Sequence, residues 1–223
     1  MIRFATLLVA LTVSPFLSVA NAADRPNILI VLSDDHSWPH VGCYGNADIK
    51  TPNLDAFAKE GMRFDRYYVG TPQCVPSRAT MLTGRGAIDI QMTRFSAPLP
   101  RNIPIYPEHL RKAGYFTGVA GRTYHLDGSA QPPETKAVFD RDRLKTFPDR
   151  LDYVKTGGTR DAILGQYNEF LDQAKDKPFF LQLGFSDPHR PLDKNAIPVP
   201  HDPAKLTLPK HYPDTVCVHG LAR

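Results

Sequence analysis

The sequence predicts an α/β fold built around a mostly parallel central sheet. Three observations carry that prediction. Short apolar runs at residues 28–32, 115–120 and 179–185 read as strands. Segments of helical period with start and stop signals alternate with them. Polar clusters follow the strands directly: Asp34-Asp35, Arg122 with His125, and Asp187 with His189. Open α/β sheets gather their sites along that edge.

The elements follow in order. Residues 1–22 carry Arg3, an apolar run from Phe4 to Leu11 and the small-residue exit Ala20-Asn21-Ala22. This is the pattern of a secretory signal peptide, so the chain is expected to be exported and periplasmic or secreted after cleavage near Ala22. Pro15 and the polar Thr12, Ser14 and Ser18 break the run short of a membrane span, so no stable membrane anchor is expected. Ile28-Leu29-Ile30-Val31-Leu32 suits a strand buried on both faces. Thr51 and Pro52 open a helix that Gly61 closes, and residues 62–69 read as another strand. Ser77 is placed as the cap of a short helix through Leu82, ended by Gly84. Pro107 opens the next helix and Gly114 stops it before the strand at 115–120. Ile163, Leu164, Tyr167, Phe170, Leu171 and Ala174 form one apolar helical stripe. The last strand, from Phe179, ends at Ser186-Asp187-Pro188-His189, and the Pro-rich residues 197–213 read as extended.

Composition limits the functional classes. Hydrophobic residues make up 42%, enough for a packed core rather than a disordered chain. Loss of residues 1–22 removes one arginine and no acid, which takes the net charge from +4 to +3. With no basic block, nucleic acid is not an expected partner. The three cysteines, Cys43, Cys74 and Cys217, leave at least one unpaired in an oxidising compartment. A Cys43–Cys217 bridge is left open.

Asp34 and Asp35 could face one hard cation, whereas a helix cap or solvated turn is the plain alternative for such a pair. Cys74 precedes a helix whose N-terminus attracts anions and lowers a thiol's pKa. Arg78, one turn on, adds a fork suited to sulfate or phosphate. For an isolated cysteine, a structural buried thiol is the alternative.

Cys74-Val75-Pro76-Ser77-Arg78, followed by Leu82-Thr83-Gly84-Arg85, resembles the signature of the formylglycine-dependent sulfatases. Further landmarks occur in order: Arg25-Pro26-Asn27-Ile28, Asp34-Asp35, Gly42-Cys43-Tyr44-Gly45, Thr51-Pro52-Asn53-Leu54-Asp55, Ala113-Gly114-Tyr115, Gly121-Arg122-Thr123-Tyr124-His125 and Asp187-Pro188-His189-Arg190. The resemblance covers about residues 25 to 214. It implies an alkaline-phosphatase-like three-layer sandwich, incomplete at the C-terminus, with residues 23–214 as the N-terminal part of the catalytic domain.

The resemblance also implies the chemistry. Cys74 would be the modified residue, converted to formylglycine by a formylglycine-generating or anaerobic maturase. Its hydrated aldehyde would attack sulfur and then expel sulfate. Asp34, Asp35 and residue 74 would bind Ca2+, with Mg2+ as the alternative ion. Arg78 would steady the formylglycine, His125 would assist it, and Arg122 and His189 would bind the sulfate, with His189 as a candidate acid. The implied activity is that of a sulfuric ester hydrolase acting on a sulfated carbohydrate or related ester. Gly42-Cys43-Tyr44-Gly45 resembles iduronate-type members, and Asp187-Pro188-His189-Arg190 resembles sulfamidase-type ones. A phosphoric or phosphonic ester hydrolase of the same superfamily, or an inactive truncated fragment, is the alternative.

Two departures from the family pattern stand out. Arg122 occupies a position where the family usually has lysine; it keeps the charge but does not readily deprotonate. The tail at residues 215–223 is unlike the family's continuation, and a truncated or frame-shifted reading frame is expected. Further metal ligands and a lysine would then be missing, and the literal product would show little activity.

Overall fold

The computed structural model describes residues 25–95, 98–123 and 131–191, together with 126, 202, 205 and 213. The signal segment 1–22, His125, Cys217, the tail 215–223 and most of the run 197–213 lie outside the described residues.

Among the described residues, four strands form one parallel sheet. They are β1 (Ile28–Leu32), β2 (Phe116–Gly121), β3 (Tyr153–Val154) and β4 (Phe179–Gly184), in the order β1-β4-β2-β3. The helices are α1 (Pro52–Glu60), α2 (Cys74–Thr83), α3 (Tyr106–Lys112), α4 (Pro133–Arg141) and α5 (Arg160–Ala174). Short 3-10 turns lie at Trp38–His40 and Gly42–Tyr44. The turns and the two-residue β3 are too short to show a period, and α4, which buries only Phe139, carries no apolar stripe to mark it.

The core has a front and a back. On the front, Val75, Ala79 and Leu82 of α2 pack with Ile105, Val119, Leu126 and Phe147. On the back, Ile163, Phe170 and Ala174 of α5 pack with Ala120, Leu181 and Leu183. Phe170 is fully buried, with its ring 5.1 Å from Phe116, 5.5 Å from Tyr153 and 5.5 Å from Phe179. Such a side chain contributes roughly 1.5–3 kcal/mol by burial. It packs closely on the sheet because position 118 is glycine: a Cβ there would sit 2.6 Å from the Phe170 ring. α5 starts where the Thr159 hydroxyl accepts from Ala162 N, as an N-cap should.

Several expectations need correction. Residues 62–69 form no strand. Met62, Phe64, Tyr67, Tyr68 and Val69 are all exposed, and β-prone composition without a partner strand builds no ladder. The segment is held instead by Tyr44 Oη donating to Phe64 O at 2.8 Å and by Arg63 Nη1 donating to Cys43 O. β1 is not buried on both faces: Leu29 is 43% and Val31 58% exposed, because α5 lies over β2 and β4 and leaves β1 uncovered. Leu164 turns outward and is not part of the buried stripe. α2 begins at Cys74 rather than Ser77, since Ser77 N donates to Gln73 O and makes Gln73 the N-cap. Gly84 does end it, in the left-handed conformation at φ 65°. Cys43 is a free thiol.

Candidate active site

The site collects at the C-terminal ends of β1, β2 and β4 and at the first turn of α2. Beyond β1, Asp34 N donates to Asp187 O at 3.2 Å, which extends the β1–β4 pairing past the strands. Successive side chains in a continuing strand would point to opposite faces. Asp35 breaks that alternation with φ 57°, a left-handed conformation that aspartate tolerates better than most residues. Carboxylate oxygens of Asp34 and Asp35 and the Cys74 Sγ consequently lie within 4.8 Å of one another.

Cys74 is the first residue of α2, where backbone N–H groups of the first turn have no partner within the helix. Its Sγ donates to Asp34 Oδ1 at 3.6 Å. The thiol pKa is raised, not lowered as helix position alone suggests. Burial is the largest cause, the Asp34 and Asp35 carboxylates add to it, and only Arg78 opposes. Position 74 is thus poorly suited to thiolate chemistry.

Asp34 is 4% exposed, and two guanidinium groups meet it. Arg78 Nη2 lies 3.5 Å from Asp34 Oδ1, and Arg122 Nε pairs with Asp34 Oδ2. Both arginines are buried. Arg78 Nη1 is buried without a hydrogen-bond acceptor among the described residues. Arg122 is set by the strand end, where its N–H donates to Gly184 O at 2.9 Å. The preceding Gly121 has φ 73°, and a Cβ there would meet Gly184 O at 2.1 Å, so only glycine fits. From the other side, His189 Nε2 stands 3.5 Å from Asp35 Oδ2. Its Nδ1 hydrogen-bonds Arg190 O, so Nδ1 carries the proton and Nε2 faces the cluster.

The structure therefore brings together Asp34, Asp35, Cys74, Arg78, Arg122 and His189, six residues singled out from the sequence. Asp34, Asp35, Cys74 and Arg78 line a cleft of about 540 Å3 whose walls also include His36, Trp38, Tyr44, Phe64 and Tyr67. Sequence reasoning did not assign these walls to the site. His36 is fixed between Ser33 Oγ, 3.2 Å from Nδ1, and His40 O, 3.1 Å from Nε2. The only sequence signal for the walls is that aromatics and a histidine flank the motif residues.

The Sulfatase family model matches residues 26–214. The chain belongs to the Sulfatase family. It is 32% identical over 207 residues to an N-acetylglucosamine-6-O-sulfatase of Bacteroides thetaiotaomicron, an alignment covering 87% of this chain and 36% of that protein. It is 37% identical over 220 residues to the N-acetylgalactosamine-6-sulfatase of Canis lupus familiaris, covering 79% and 42%. The chain thus spans less than half the length of these two sulfatases. Among solved structures, BT4656 in complex with its substrate D-glucosamine-2-N,6-O-disulfate superposes with a TM-score of 0.61 at 27% identity, over 74% of this chain and 35% of that one. The phosphonate monoester hydrolase of Agrobacterium radiobacter shares the fold, with a TM-score of 0.56 at 20% identity over 75% and 42% of the two chains. The fold is that of the alkaline-phosphatase-like sulfatases, a mostly parallel sheet flanked by helices.

Asp34, Asp35 and Cys74 could hold a metal ion; the two carboxylates are the oxygen ligands a hard divalent cation prefers, whereas the Cys74 sulfur is not. Among the described residues, no helix is long and apolar enough to cross a membrane.

Proposed function

We propose that this chain carries the reaction centre of an exported sulfuric ester hydrolase, with a formylglycine made from Cys74 and a calcium ion at Asp34 and Asp35. The observation that carries the reading is the meeting of Asp34, Asp35 and residue 74 within 4.8 Å, beside a buried Arg78 whose Nη1 has no acceptor among the described residues. Cys74 Sγ stands in for the formylglycine oxygen. That group would supply an oxygen nucleophile, and the cation would favour its ionised form.

The chain's own residues do the rest. Arg78 Nη1 offers a donor to an anionic oxygen entering the cleft. Arg122 pairs with Asp34 and adds positive charge where a sulfate would sit. His189 points Nε2 into the site; with a second proton there, as imidazolium, it would be placed to hand that proton to the leaving ester oxygen, and His125 is the second candidate histidine. The names of the two sulfatase relatives favour a 6-O-sulfated amino sugar as substrate. The residue 1–22 segment directs export, and a maturase modifies Cys74 beforehand.

The test is the mass of the Cys74 peptide after co-expression with a formylglycine-generating enzyme, alongside turnover of N-acetylglucosamine 6-sulfate and an aryl phosphate. Loss of sulfur at residue 74 is expected, with slow desulfation that depends on it. An intact Cys74 thiol in protein that desulfates, or a strong preference for the phosphate ester, would overturn the reading.

A further inference from the structure

β2 and β3 are in register at Gly118 with Tyr153 and at Val119 with Val154. Beyond them, Lys155 N donates to Val119 O at 3.1 Å and Gly157 N to Gly121 O at 2.7 Å. Continued at that register, a parallel ladder would have Gly121 N donate to the Lys155 carbonyl. Instead it donates at 2.9 Å to the side-chain Oε1 of Gln166, on α5. Gln166 Nε2 in turn donates to Gly157 O at 2.8 Å. One side-chain amide thus takes the place of a peptide group where β2 and the segment after β3 part. Gly157 and Gly158, left-handed at φ 76° and 115°, turn that segment away.

The partners dictate the residue type. A backbone N–H only donates and a carbonyl only accepts, so the amide has one orientation here. An ionised glutamate could accept but not donate, and leucine could do neither. The helix holds the amide in place. Ile163 and Phe170, three residues before Gln166 and four after it, are buried on the same face of α5. Tyr153 Oη donates to Gln166 O at 2.9 Å. Next along β2 comes Arg122, whose Nε pairs with Asp34 Oδ2. β4 fixes this strand end from one side, through Arg122 N and Gly184 O at 2.9 Å. Gln166 fixes it from the other. Thr123, the following residue, bonds through Oγ1 to Thr156 Oγ1 at 2.6 Å, in the segment that Gln166 ties down.

We infer that Gln166 is a positioning residue for Arg122: through Gly121 and Gly157, its amide sets where the Arg122 guanidinium meets Asp34. Without the amide, Gly121 N–H and Gly157 O lose these partners together, and the end of β2 can turn about its bond to β4. The consequence for sulfate rests on the proposed anion role of Arg122, whereas the placement of Arg122 at Asp34 does not.

Full 223-residue chains, unsubstituted and carrying Q166L or Q166E, are compared by NMR. The Arg122 Nε–H signal, assigned with Arg122→Lys, reports the pair with Asp34, and the Leu181 and Leu183 amides report the fold. At about pH 7 the Q166E carboxylate accepts from Gly121 N but repels Gly157 O, well above the ordinary carboxyl pKa of about 4.3. In both variants the Arg122 Nε–H should then exchange about tenfold faster or more, while Leu181 and Leu183 change little. Facing a carbonyl raises the Q166E carboxyl's pKa, so toward about pH 5 it takes up a proton and donates again. Q166E should recover there relative to the unsubstituted chain at the same pH, and Q166L should not. If Q166L fails to fold, Q166E at the two pH values carries the comparison alone. An unchanged Arg122 Nε–H, equal loss of protection at Arg122 and in β4, or a Q166E effect indifferent to pH would overturn the inference. Sulfate affinity of the calcium-loaded chains, read by calorimetry, should fall about tenfold or more in Q166L. If the unsubstituted chain bound no sulfate, or Q166L bound it equally well, while Arg122 was still released, the positioning role would stand and the anion role of Arg122 would fail.

Discussion

At Cys74 the sign of the neighbouring charges sets the chemistry. A helix N-terminus and Arg78 favour a thiolate, but burial and two carboxylates oppose it, and the opposing side wins. Unmodified protein should therefore alkylate slowly at Cys74, with a reactivity midpoint above the 9.0 of an ordinary thiol. The sign follows each neighbour. Asp34→Asn removes a negative charge beside the thiol, so the midpoint should fall. Arg78→Met removes the one side chain that stabilises the thiolate, so it should rise further. Iodoacetamide labelling across pH, read by mass on the Cys74 peptide, measures all three. A wild-type midpoint at or below 9.0 would show that the α2 N-terminus outweighs Asp34 and Asp35.

Among the elements, the end of β2 places Arg122 through a single backbone requirement. Gly121 combines φ 73° with an approach to Gly184 O that no Cβ permits. Gly121→Ala should destabilise the chain by at least about 2 kcal/mol, since strained backbone costs about 1–3 kcal/mol before any clash is counted. For a chain of this size that lowers Tm by about 4–8 °C, measurable by circular dichroism. A loss under about 1 °C would mean that the β2–β4 register relaxes freely there. β1, β2, β4 and α5 were legible in the sequence because continuous apolar runs and a helical stripe carry their own signal. The position of the site was legible too, since Asp34, Arg122 and His189 directly follow strands. What escaped was set by tertiary partners. The apolar run at 62–69 looks like a strand until it is seen without one beside it. The five apolar residues of β1 look doubly buried until α5 is seen to stop at β4. The start of α2 at Cys74 depends on the extended Gln73, which composition does not mark.

Across the whole molecule, the rim joins strand ends that are far apart in sequence, and its charges must balance in a small volume. Arg78 and Arg122 both meet Asp34 while Asp35 stands beside His189, and the formal charges of the two carboxylates and two guanidinium groups cancel. A divalent cation entering alone adds two positive charges beside two buried guanidinium groups. A sulfate dianion entering alone meets two carboxylates. Entering together, they restore neutrality, with the cation on the carboxylates and the anion on the arginines. Calcium and sulfate should therefore bind with positive linkage, each tightening the other by the same factor, of the order of 5–150-fold for couplings of about 1–3 kcal/mol. Calorimetric titration of calcium in sulfate and in chloride at equal ionic strength measures the coupling. Arg78→Met should weaken it, because with one guanidinium gone the cation no longer needs the anion to offset the remaining charge. If calcium bound equally well in both salts, Arg78 and Arg122 would be tied to Asp34 alone and would have no part in holding the anion.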